Sequence, residues 1–365
     1  MSDLLIAVAI ELTERGWISD SIVRRLIRRL LDDRLQSVHE KCNTHDATRK
    51  FAERMRNTNM LVAAQEANHQ HYEVPAEFFR LVLGSHLKYS CGYWETATST
   101  LDEAESAMLK LTCQRAEIED GMRILELGCG WGSLCLWIAE RYPSAQIVAV
   151  SNSHGQRQFI ETQCREKNLT NLKVITANVA KFEPDGVFDR VVSVEMFEHI
   201  RNHSVLLQRI ARWLASTGKL FIHVFCHHDY PYCFEVKSRR DWMARHFFTG
   251  GIMPSLDLFG KYDEDLQIES QWIVNGVHYS RTCEAWLQKL DARKPELTAI
   301  FTKDQSNAEA KVLLQRWRMF FMACSELFQY NKGNDWFIAH YLLSHAQANS
   351  SNQHRTPLKT PFKVT

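Results

Sequence analysis

The feature that most constrains the fold of this chain is an apolar run that leads directly into a glycine-rich turn. Ile124-Leu125-Glu126-Leu127 has the pattern of a buried strand, Gly128-Cys129-Gly130-Trp131-Gly132 follows it, and a helical pattern begins at the last of these glycines. Glycines let the backbone approach a ligand closely, and doubly wound sheets bind ligands beyond the carboxyl ends of their strands. We therefore expect a nucleotide-like ligand at this turn.

From residue 122 onwards, strand-like and helix-like segments alternate, which is typical of a parallel sheet covered by helices on both faces. Helices are predicted at residues 132–141, 156–167 and 204–215, and helical periodicity returns from 283 to 317. The predicted fold class is α/β, with a doubly wound, mostly parallel sheet. Its predicted strands are residues 122–127, 146–151, 172–177, 188–196, 219–226 and 336–344.

Two regions flank or interrupt this alternation. Residues 1–70 carry apolar residues at helical spacing and are predicted to form an N-terminal helical extension to a ligand-binding domain at 71–345. Residues 227–280 break the pattern with prolines, glycines and aromatics, so we expect a cap-like insertion that covers the substrate at the carboxyl edge of the sheet. Residues 346–365 contain Ser, Asn and Pro and are predicted to be a disordered tail.

Composition excludes several classes of function. Lys and Arg number 44 against 43 Asp and Glu, a formal net charge of +1, which argues against nucleic acid as a partner. No apolar run reaches the roughly 18 to 20 residues that a membrane span needs, and the first residues lack the features of a secretory signal. The 10 cysteines include no CxxC pair, and no ligand set for a metal is predicted. We expect a soluble, cytoplasmic protein of unknown oligomeric state.

One predicted helix near residues 22–35 carries an arginine-rich face. Two interpretations stay open, because such a face is either solvated beside Asp32 and Asp33 or turned towards a membrane surface or another anion. Solvated faces are the commoner case. The residues concerned are Arg24, Arg25, Arg28, Arg29 and Arg34.

Details of the glycine turn distinguish among nucleotide-like ligands. Its spacing is GxGxG rather than GxGxxG, and the end of the second strand, Val150-Ser151-Asn152, lacks the acid that would hold the ribose of NAD. Glu126, immediately ahead of the glycines, favours S-adenosylmethionine over NAD.

The segment from Glu126 to Gly132 resembles motif I of class I S-adenosylmethionine methyltransferases. Lys88-Tyr89-Ser90-Cys91-Gly92-Tyr93-Trp94 and Val194-Glu195-Met196-Phe197-Glu198-His199 are similar to the cyclopropane-fatty-acid synthase superfamily. The resemblance spans roughly residues 70–345. Asn275-Gly276-Val277-His278-Tyr279 and the residues from Phe247 to Ser255 are closest to its coclaurine N-methyltransferase branch. The resemblance implies a seven-stranded, Rossmann-like sheet.

Positions that match the family imply a binding site for S-adenosylmethionine. The resemblance assigns Tyr89 and Ser90 to a segment that closes over the cofactor, and Gly128 and Gly130 to the loop under its methionine part. The remaining assignments are Ser151 and Gln156 at the ribose, Asn178 and Val179 at the adenine, and Glu126, Asn152 and Val194 as further contacts. The family usually has an acid where this chain has Asn178.

For catalysis, the resemblance implicates Glu198 and His199, with Glu195 as an extra acid beside them. An amine acceptor is mostly an ammonium ion at neutral pH, so a site that methylates it must attract the cation and then remove a proton. Glu195 and Glu198 can attract the charge, and Glu198 or His199 can serve as the base. The predicted activity is methyl transfer to the nitrogen of a small amine.

An alternative keeps the cofactor and changes the acceptor to an unsaturated acyl chain of a phospholipid, with a membrane surface as partner. Cys91, Glu198, His223 and Tyr279 match the four side chains that hold bicarbonate in cyclopropane synthases. Those enzymes typically carry Gly at the position of Glu195, which favours the amine. A third possibility is a catalytically silent cofactor-binding protein.

Overall fold

The computed structural model describes residues 3–42, 46–62, 74–97 and 99–346. Among these residues the helices are α1 (Asp3–Glu14), α2 (Asp20–Cys42), α3 (Ala47–Arg56), α4 (Ala76–Val82), α5 (Leu101–Arg115), α6 (Ser133–Arg141), α7 (His154–Glu166), α8 (His203–Trp213), α9 (Trp242–His246), α10 (Val277–Ala292), α11 (Lys294–Phe301) and α12 (Asn307–Gln329). The strands are β1 (Arg123–Leu127), β2 (Gln146–Ser151), β3 (Leu172–Thr176), β4 (Phe188–Val194), β5 (Leu214–His227), β6 (Tyr232–Cys233), β7 (Ile252–Met253), β8 (Leu266–Val274) and β9 (Trp336–His345). A 3₁₀ turn, Phe197–His199, follows β4.

Seven strands form one sheet in the order β3-β2-β1-β4-β5-β9-β8. The first five strands of this order are parallel, whereas β9 is antiparallel to both β5 and β8. The order reverses between β1 and β4, and ligands of such sheets bind beyond the carboxyl ends of the strands at that reversal. The predicted fold class, a doubly wound and mostly parallel seven-stranded sheet, is confirmed.

The N-terminal helices pack on the body of the protein. Val23 of α2 belongs to the same buried apolar cluster as Phe78 and Trp317. Arg24 donates to both carboxylate oxygens of Glu284 at 2.7 and 3.0 Å and to Glu326 at 3.1 Å, and Arg28 donates to Glu326 at 2.8 Å. These two side chains dock α2 on α10 and α12 through glutamates of the protein itself, while 52% of the Arg28 side chain stays exposed to solvent.

Several predicted boundaries need correction. The strand predicted at 188–196 ends at Val194, because Glu195 has a positive φ of +49° that turns the chain. The strand predicted at 219–226 begins earlier, at Leu214, directly after α8. The helical stretch predicted at 283–317 is three helices, α10 to α12, which begin at Val277 and end at Gln329.

The segment predicted as a cap-like insertion, 227–280, has two different structures. Its first part contains β6, α9 and β7, and Phe248 in this part stacks on His199 with ring centroids 4.9 Å apart. Its last part is not a cap, because Leu266–Val274 is β8, the edge strand of the main sheet. Gln267, Glu269 and Gln271 mostly alternate with apolar residues along β8, which is the pattern of a half-buried strand and was obscured by the prolines, glycines and aromatics before it.

The predicted tail lies outside the described residues apart from Ala346. Within the part of the chain that is described, no helix is long and apolar enough to cross a membrane. The nine cysteines whose side chains are described are free thiols. The division of the chain into an extension and a ligand-binding domain stays a prediction.

Candidate active site

The glycine-rich turn leaves the carboxyl end of β1 and forms the floor of a cavity. Gly128 has a φ of +80°, and a Cβ atom there would lie 2.7 Å from the Met196 side chain. A side chain at this position would therefore be strained and crowded. Gly130 has open space where its side chain would be. The turn thus presents bare backbone to the cavity, which fits the close approach of a ligand.

The cavity encloses about 1020 Å³ of empty space, including its open mouth, and a smaller pocket of about 390 Å³ adjoins it. The two share Gly128, Gly130 and Gln156. Predicted site residues that line the larger cavity are Tyr89, Ser90, Glu126, Val194, Glu195, His199 and Tyr279. Those that line the smaller pocket are Ser151, Asn152 and Val179. Most of the predicted cofactor residues are therefore brought together.

One predicted contact does not reach either pocket. Asn178 is exposed, and its Oδ1 accepts a hydrogen bond from the backbone N–H of Ala180 at 2.8 Å. Its side chain therefore shapes the local turn. Ser151 and Gln156 are both buried, and the Ser151 hydroxyl donates to Gln156 Oε1 at 2.6 Å, which fixes the wall of the smaller pocket.

Glu126 is a buried acid on the cavity wall. Only 2% of it is exposed, and its Oε2 has no hydrogen-bond partner within the described part of the chain. Burial raises its pKa to about 7, although hydrogen bonds from Cys135 oppose this change. An unpartnered buried carboxyl oxygen needs a donor or a cation. The α-amino group of S-adenosylmethionine has that chemistry, so the residues present fit the predicted cofactor.

Glu195 is held by three donors from three parts of the chain. Its Oε1 accepts from the backbone N–H of Cys91 at 3.0 Å and lies 3.2 Å from Nε2 of His223, and its Oε2 accepts from the Tyr279 hydroxyl at 2.5 Å. These three residues belong to the set that the lipid alternative assigns to bicarbonate. The carboxylate of Glu195 thus occupies the place between them.

Lys88 is a buried cation of the same wall that the sequence analysis did not single out. It is 2% exposed, and its Nζ donates to Ser90 Oγ at 2.5 Å and to the carbonyl of Cys91 at 2.8 Å. Burial raises the pKa of Glu195, whereas the charge of Lys88 and the donors Tyr279 and Cys91 lower it. Lys88 therefore favours the ionised form of Glu195. Its place in Lys88-Tyr89-Ser90 was the only available signal.

Glu198 and His199 take different positions. His199 lines the cavity and stacks on Phe248. Glu198 is fully buried and does not line the cavity; its Oε1 accepts from the backbone N–H of Phe225 at 2.8 Å, and its Oε2 has no partner among the described residues. Burial, together with the charge of Glu195, raises the pKa of Glu198 well above its ordinary value. The site therefore favours the protonated form of Glu198 more than water does.

Part of the cavity wall is aromatic. Aromatic rings attract cations through their faces, with about 0.5 to 2 kcal/mol for each contact. The acid Glu195, the imidazole of His199 and this aromatic wall together suit an organic cation. The lining residues concerned are Phe225, Phe248, Trp286 and Phe320, and the thiols of Cys283 and Cys324 also line the cavity.

Comparisons with known proteins agree on the family to which this chain is related. The family model for mycolic acid cyclopropane synthetase matches residues 60–337. The (S)-coclaurine N-methyltransferase of Thalictrum flavum subsp. glaucum is 36% identical over 347 residues, which cover 92% of this chain and 96% of that protein.

Solved structures extend the comparison to the fold. The crystal structure of a coclaurine N-methyltransferase bound to N-methylheliamine and SAH has a TM-score of 0.86 at 33% identity, covering 94% of this chain and 99% of that one. A cyclopropane synthase of Mycobacterium tuberculosis has a TM-score of 0.67 at 22% identity, covering 78% and 99% of the two chains, and supports the fold alone.

The hydrogen bond between Tyr279 and Glu195 gives a first testable expectation. Tyr279→Phe leaves a buried carboxylate with one donor fewer, so we expect a loss of about 1–3 kcal/mol in the free energy of unfolding at neutral pH. The substitution raises the pKa of Glu195 further above its ordinary value of 4.5. A raised pKa in the folded state means that stability is lost as the pH rises through it, so the loss is larger at pH 8 than at pH 5.

Urea unfolding at both pH values measures this difference. Tyr341→Phe is the matched control, because Tyr341 is equally a buried tyrosine but donates to the neutral carbonyl of Leu256 at 2.7 Å. The loss in the free energy of unfolding caused by Tyr341→Phe should not depend on pH. Equal costs of Tyr279→Phe at pH 5 and pH 8 would show that the ionisation of Glu195 does not change between these two pH values, which would contradict the expected shift of its pKa.

Proposed function

We propose that this chain, which belongs to the mycolic acid cyclopropane synthetase family and is an S-adenosylmethionine-dependent methyltransferase, methylates the nitrogen of a small amine. The observation that carries the proposal is the position of Glu195, whose carboxylate lines the cavity between Cys91, His223 and Tyr279. The names of the N-methyltransferase relatives support a nitrogen acceptor.

The cofactor-binding residues divide along the two pockets. We assign Glu126 and the backbone of Gly128 and Gly130 to the amino-acid end of the cofactor, because an unpartnered buried acid lies beside bare backbone there. Ser151 and Gln156 line the adjoining pocket and suit the ribose hydroxyls. When bound, S-adenosylmethionine supplies an electrophilic methyl group, and the protein positions the acceptor beside it and excludes water.

Glu195 is the group that attracts the acceptor. An ammonium ion that enters the cavity meets this carboxylate and the aromatic wall of Phe225, Phe248 and Phe320. Because three donors already bind the carboxylate and fix its orientation, we assign Glu195 to attracting the cation and not to removing the proton.

His199 is the base in this assignment. It lines the same cavity, and an imidazole has its ordinary pKa close to neutral pH. One ring nitrogen takes the proton from the ammonium ion, which frees the lone pair of the amine for attack. Glu198 lies behind the wall as a neutral carboxyl that positions the turn through the N–H of Phe225. Stacking on Phe248 orients the imidazole ring.

The lipid alternative loses its anion site. The N–H of Cys91, the ring of His223 and the hydroxyl of Tyr279 are already engaged by Glu195. We therefore propose no membrane partner. The cytoplasmic location stays a prediction.

Acceptor class is tested directly with the purified protein. We expect label from methyl-labelled S-adenosylmethionine to appear on coclaurine or another small secondary amine, and not on vesicles of unsaturated phosphatidylglycerol, whose headgroup has no amine. Label in the lipid alone would overturn the amine assignment. Binding of cofactor without transfer to either acceptor would instead favour the silent binding protein.

The base is tested by a matched pair of substitutions. His199→Gln removes the proton acceptor and should lower kcat by about 10²–10⁴-fold, with cofactor affinity nearly unchanged. Glu198→Gln resembles the neutral carboxyl that burial favours, so its kcat should fall by less than about 10-fold. Steady-state kinetics and equilibrium binding measure both effects. If Glu198→Gln costs as much as His199→Gln, then Glu198 takes part in proton removal.

The pKa of Glu126 predicts how cofactor binding depends on pH. Because this pKa is raised to about 7, the acid is largely protonated at pH 6, and the cationic amino group of the cofactor prefers the ionised form. Affinity should therefore rise about 5-fold between pH 6 and pH 7. Glu126→Gln should abolish this rise in a calorimetric titration.

Glu105 supplies the control for this measurement. Burial raises its pKa to about 7 as well, but it binds the backbone N–H groups of Gly84 and His86 and does not line the cavity. Glu105→Gln should keep the pH dependence of the wild-type protein. A flat profile in wild type would show that Glu126 does not contact the amino group.

A further inference from the structure

A chain of hydrogen bonds leads from Glu195 into the sheet, away from the cavity. His223 Nε2 lies 3.2 Å from Glu195 Oε1, and its Nδ1 lies 2.9 Å from Nε2 of His340. His340 Nδ1 accepts from Nη1 of Arg115 at 2.9 Å. Neither histidine ring has any exposed surface. Three side chains thus connect the end of α5 to the carboxylate at the active site.

The register between β5 and β9 places the rings of His223 and His340 side by side. His223 and His340 are direct partners in the antiparallel pair of β5 and β9, and their ring centroids are 4.6 Å apart. Arg115, the last residue of α5, lies over the ring of Trp272 at 5.2 Å. Trp272 is in turn the β8 partner of His340. The chain therefore depends on the antiparallel edge of the sheet.

Arg115 and Glu195, at the two ends of the hydrogen-bond chain, determine which ring nitrogen of each histidine carries the proton. A guanidinium has donors only, so Nδ1 of His340 must be an acceptor and its proton must lie on Nε2. That proton points at Nδ1 of His223, which must then be an acceptor and carry its own proton on Nε2. The last N–H points at Glu195. The guanidinium at one end, which only donates, and the ionised carboxylate of Glu195 at the other, which only accepts, thus require the same direction of all three hydrogen bonds.

We propose that His340 and Arg115 are positioning residues for the methyl transfer, because they lock His223 in the tautomer that donates to Glu195. The inference rests on the proposed function for its kinetic consequence, but the tautomers themselves do not depend on the acceptor.

The direction of the chain also limits its role. Every donor points towards Glu195, and the outer end is a guanidinium that has no lone pair to accept a proton. Protons from the substrate therefore do not leave along it. The chain holds the carboxylate as a fixed acceptor, which is consistent with proton removal by His199.

Burial and the neighbouring cations keep both rings neutral. Burial lowers the pKa of His223 and of His340 well below the ordinary value, and Lys88 and Arg115 lower both further. Burial lowers the pKa of Arg115 to about 10, so it remains a cation at neutral pH. The other groups that face His223 are Glu195, whose charge is balanced by Lys88, and His340 itself.

Two-dimensional ¹H–¹⁵N spectra of the histidine rings in the wild-type protein test the tautomers. We expect His223 and His340 to be neutral at pH 7, each with its proton on Nε2. Assignment comes from the loss of one set of signals in His340→Gln. A proton on Nδ1 of either ring, or an imidazolium, would overturn the proposal whether or not an amine is methylated.

A matched pair of substitutions tests the kinetic role. The amide of His340→Gln can accept from Arg115 and donate to His223, so kcat should stay within about 3-fold of wild type. His340→Leu breaks the chain at similar volume, and kcat should fall by about 10-fold or more, with cofactor affinity within about 2-fold. Equal kcat values for the two variants would contradict the positioning role.

Arg115→Met supplies a second break if His340→Leu does not fold. It removes the outer donor, while Arg115→Lys keeps a donor and a charge. We expect kcat of Arg115→Met to fall by about 10-fold, as in His340→Leu, and Arg115→Lys to restore most of it. A wild-type kcat in Arg115→Met would show that the outer cation does not position His223.

Discussion

The organisation of the site depends on how one carboxylate, that of Glu195, is held at the end of β4. Its backbone φ of +49° lies in the left-handed region, where a residue other than glycine costs of the order of 1–3 kcal/mol. Hydrogen bonds to a charged group are worth about 1.5–3 kcal/mol each, and Glu195 accepts three. The contacts therefore offset the strain. The turn at Glu195 is unfavourable by itself, but it directs the carboxylate of this residue into the cavity.

The donors to Glu195 come from distant parts of the sequence, so the site requires the whole fold. Cys91 lies in the loop before α5, Tyr279 in α10 and His223 in β5. β5 is the strand on which the sheet changes from parallel to antiparallel pairing. The antiparallel strand β9 brings His340 behind His223, which a bare parallel sheet would not provide. The added β9 and β8 thus support the catalytic turn as well as enlarging the core.

The sequence predicted those features of the fold that depend on residues close together in the chain. The glycine turn and the parallel strands depend on neighbouring residues, and their pattern located them, whereas Glu195-Met196-Phe197-Glu198-His199 was found through the family resemblance. The partners of Arg24 and the role of His340 depend on contacts between residues far apart in the chain. His340 lies in an apolar strand where a histidine has no distinguishing neighbour. The break between α11 and α12 had a readable signal, the capping box of Ser306 and Glu309, which overall periodicity obscured.

On the proposed assignment, one position separates two chemistries, because the resemblance implies a glycine in cyclopropane synthases where this chain has Glu195. A glycine at position 195 takes a positive φ without strain, so the same turn can form there with no side chain, leaving the surrounding donors free for an exchangeable anion. In this chain the anion is covalently part of the turn and has its orientation set by Cys91, His223 and Tyr279. A bound anion that can take a proton and exchange suits a reaction that must discharge a carbocation. A fixed, fully bonded carboxylate suits recognition of a cation, with the proton passed to another group. Cys91, His223 and Tyr279 serve as donors in both cases. We therefore attribute the difference between amine and lipid acceptors to the group that lies between these three residues, a fixed carboxylate or an exchangeable anion.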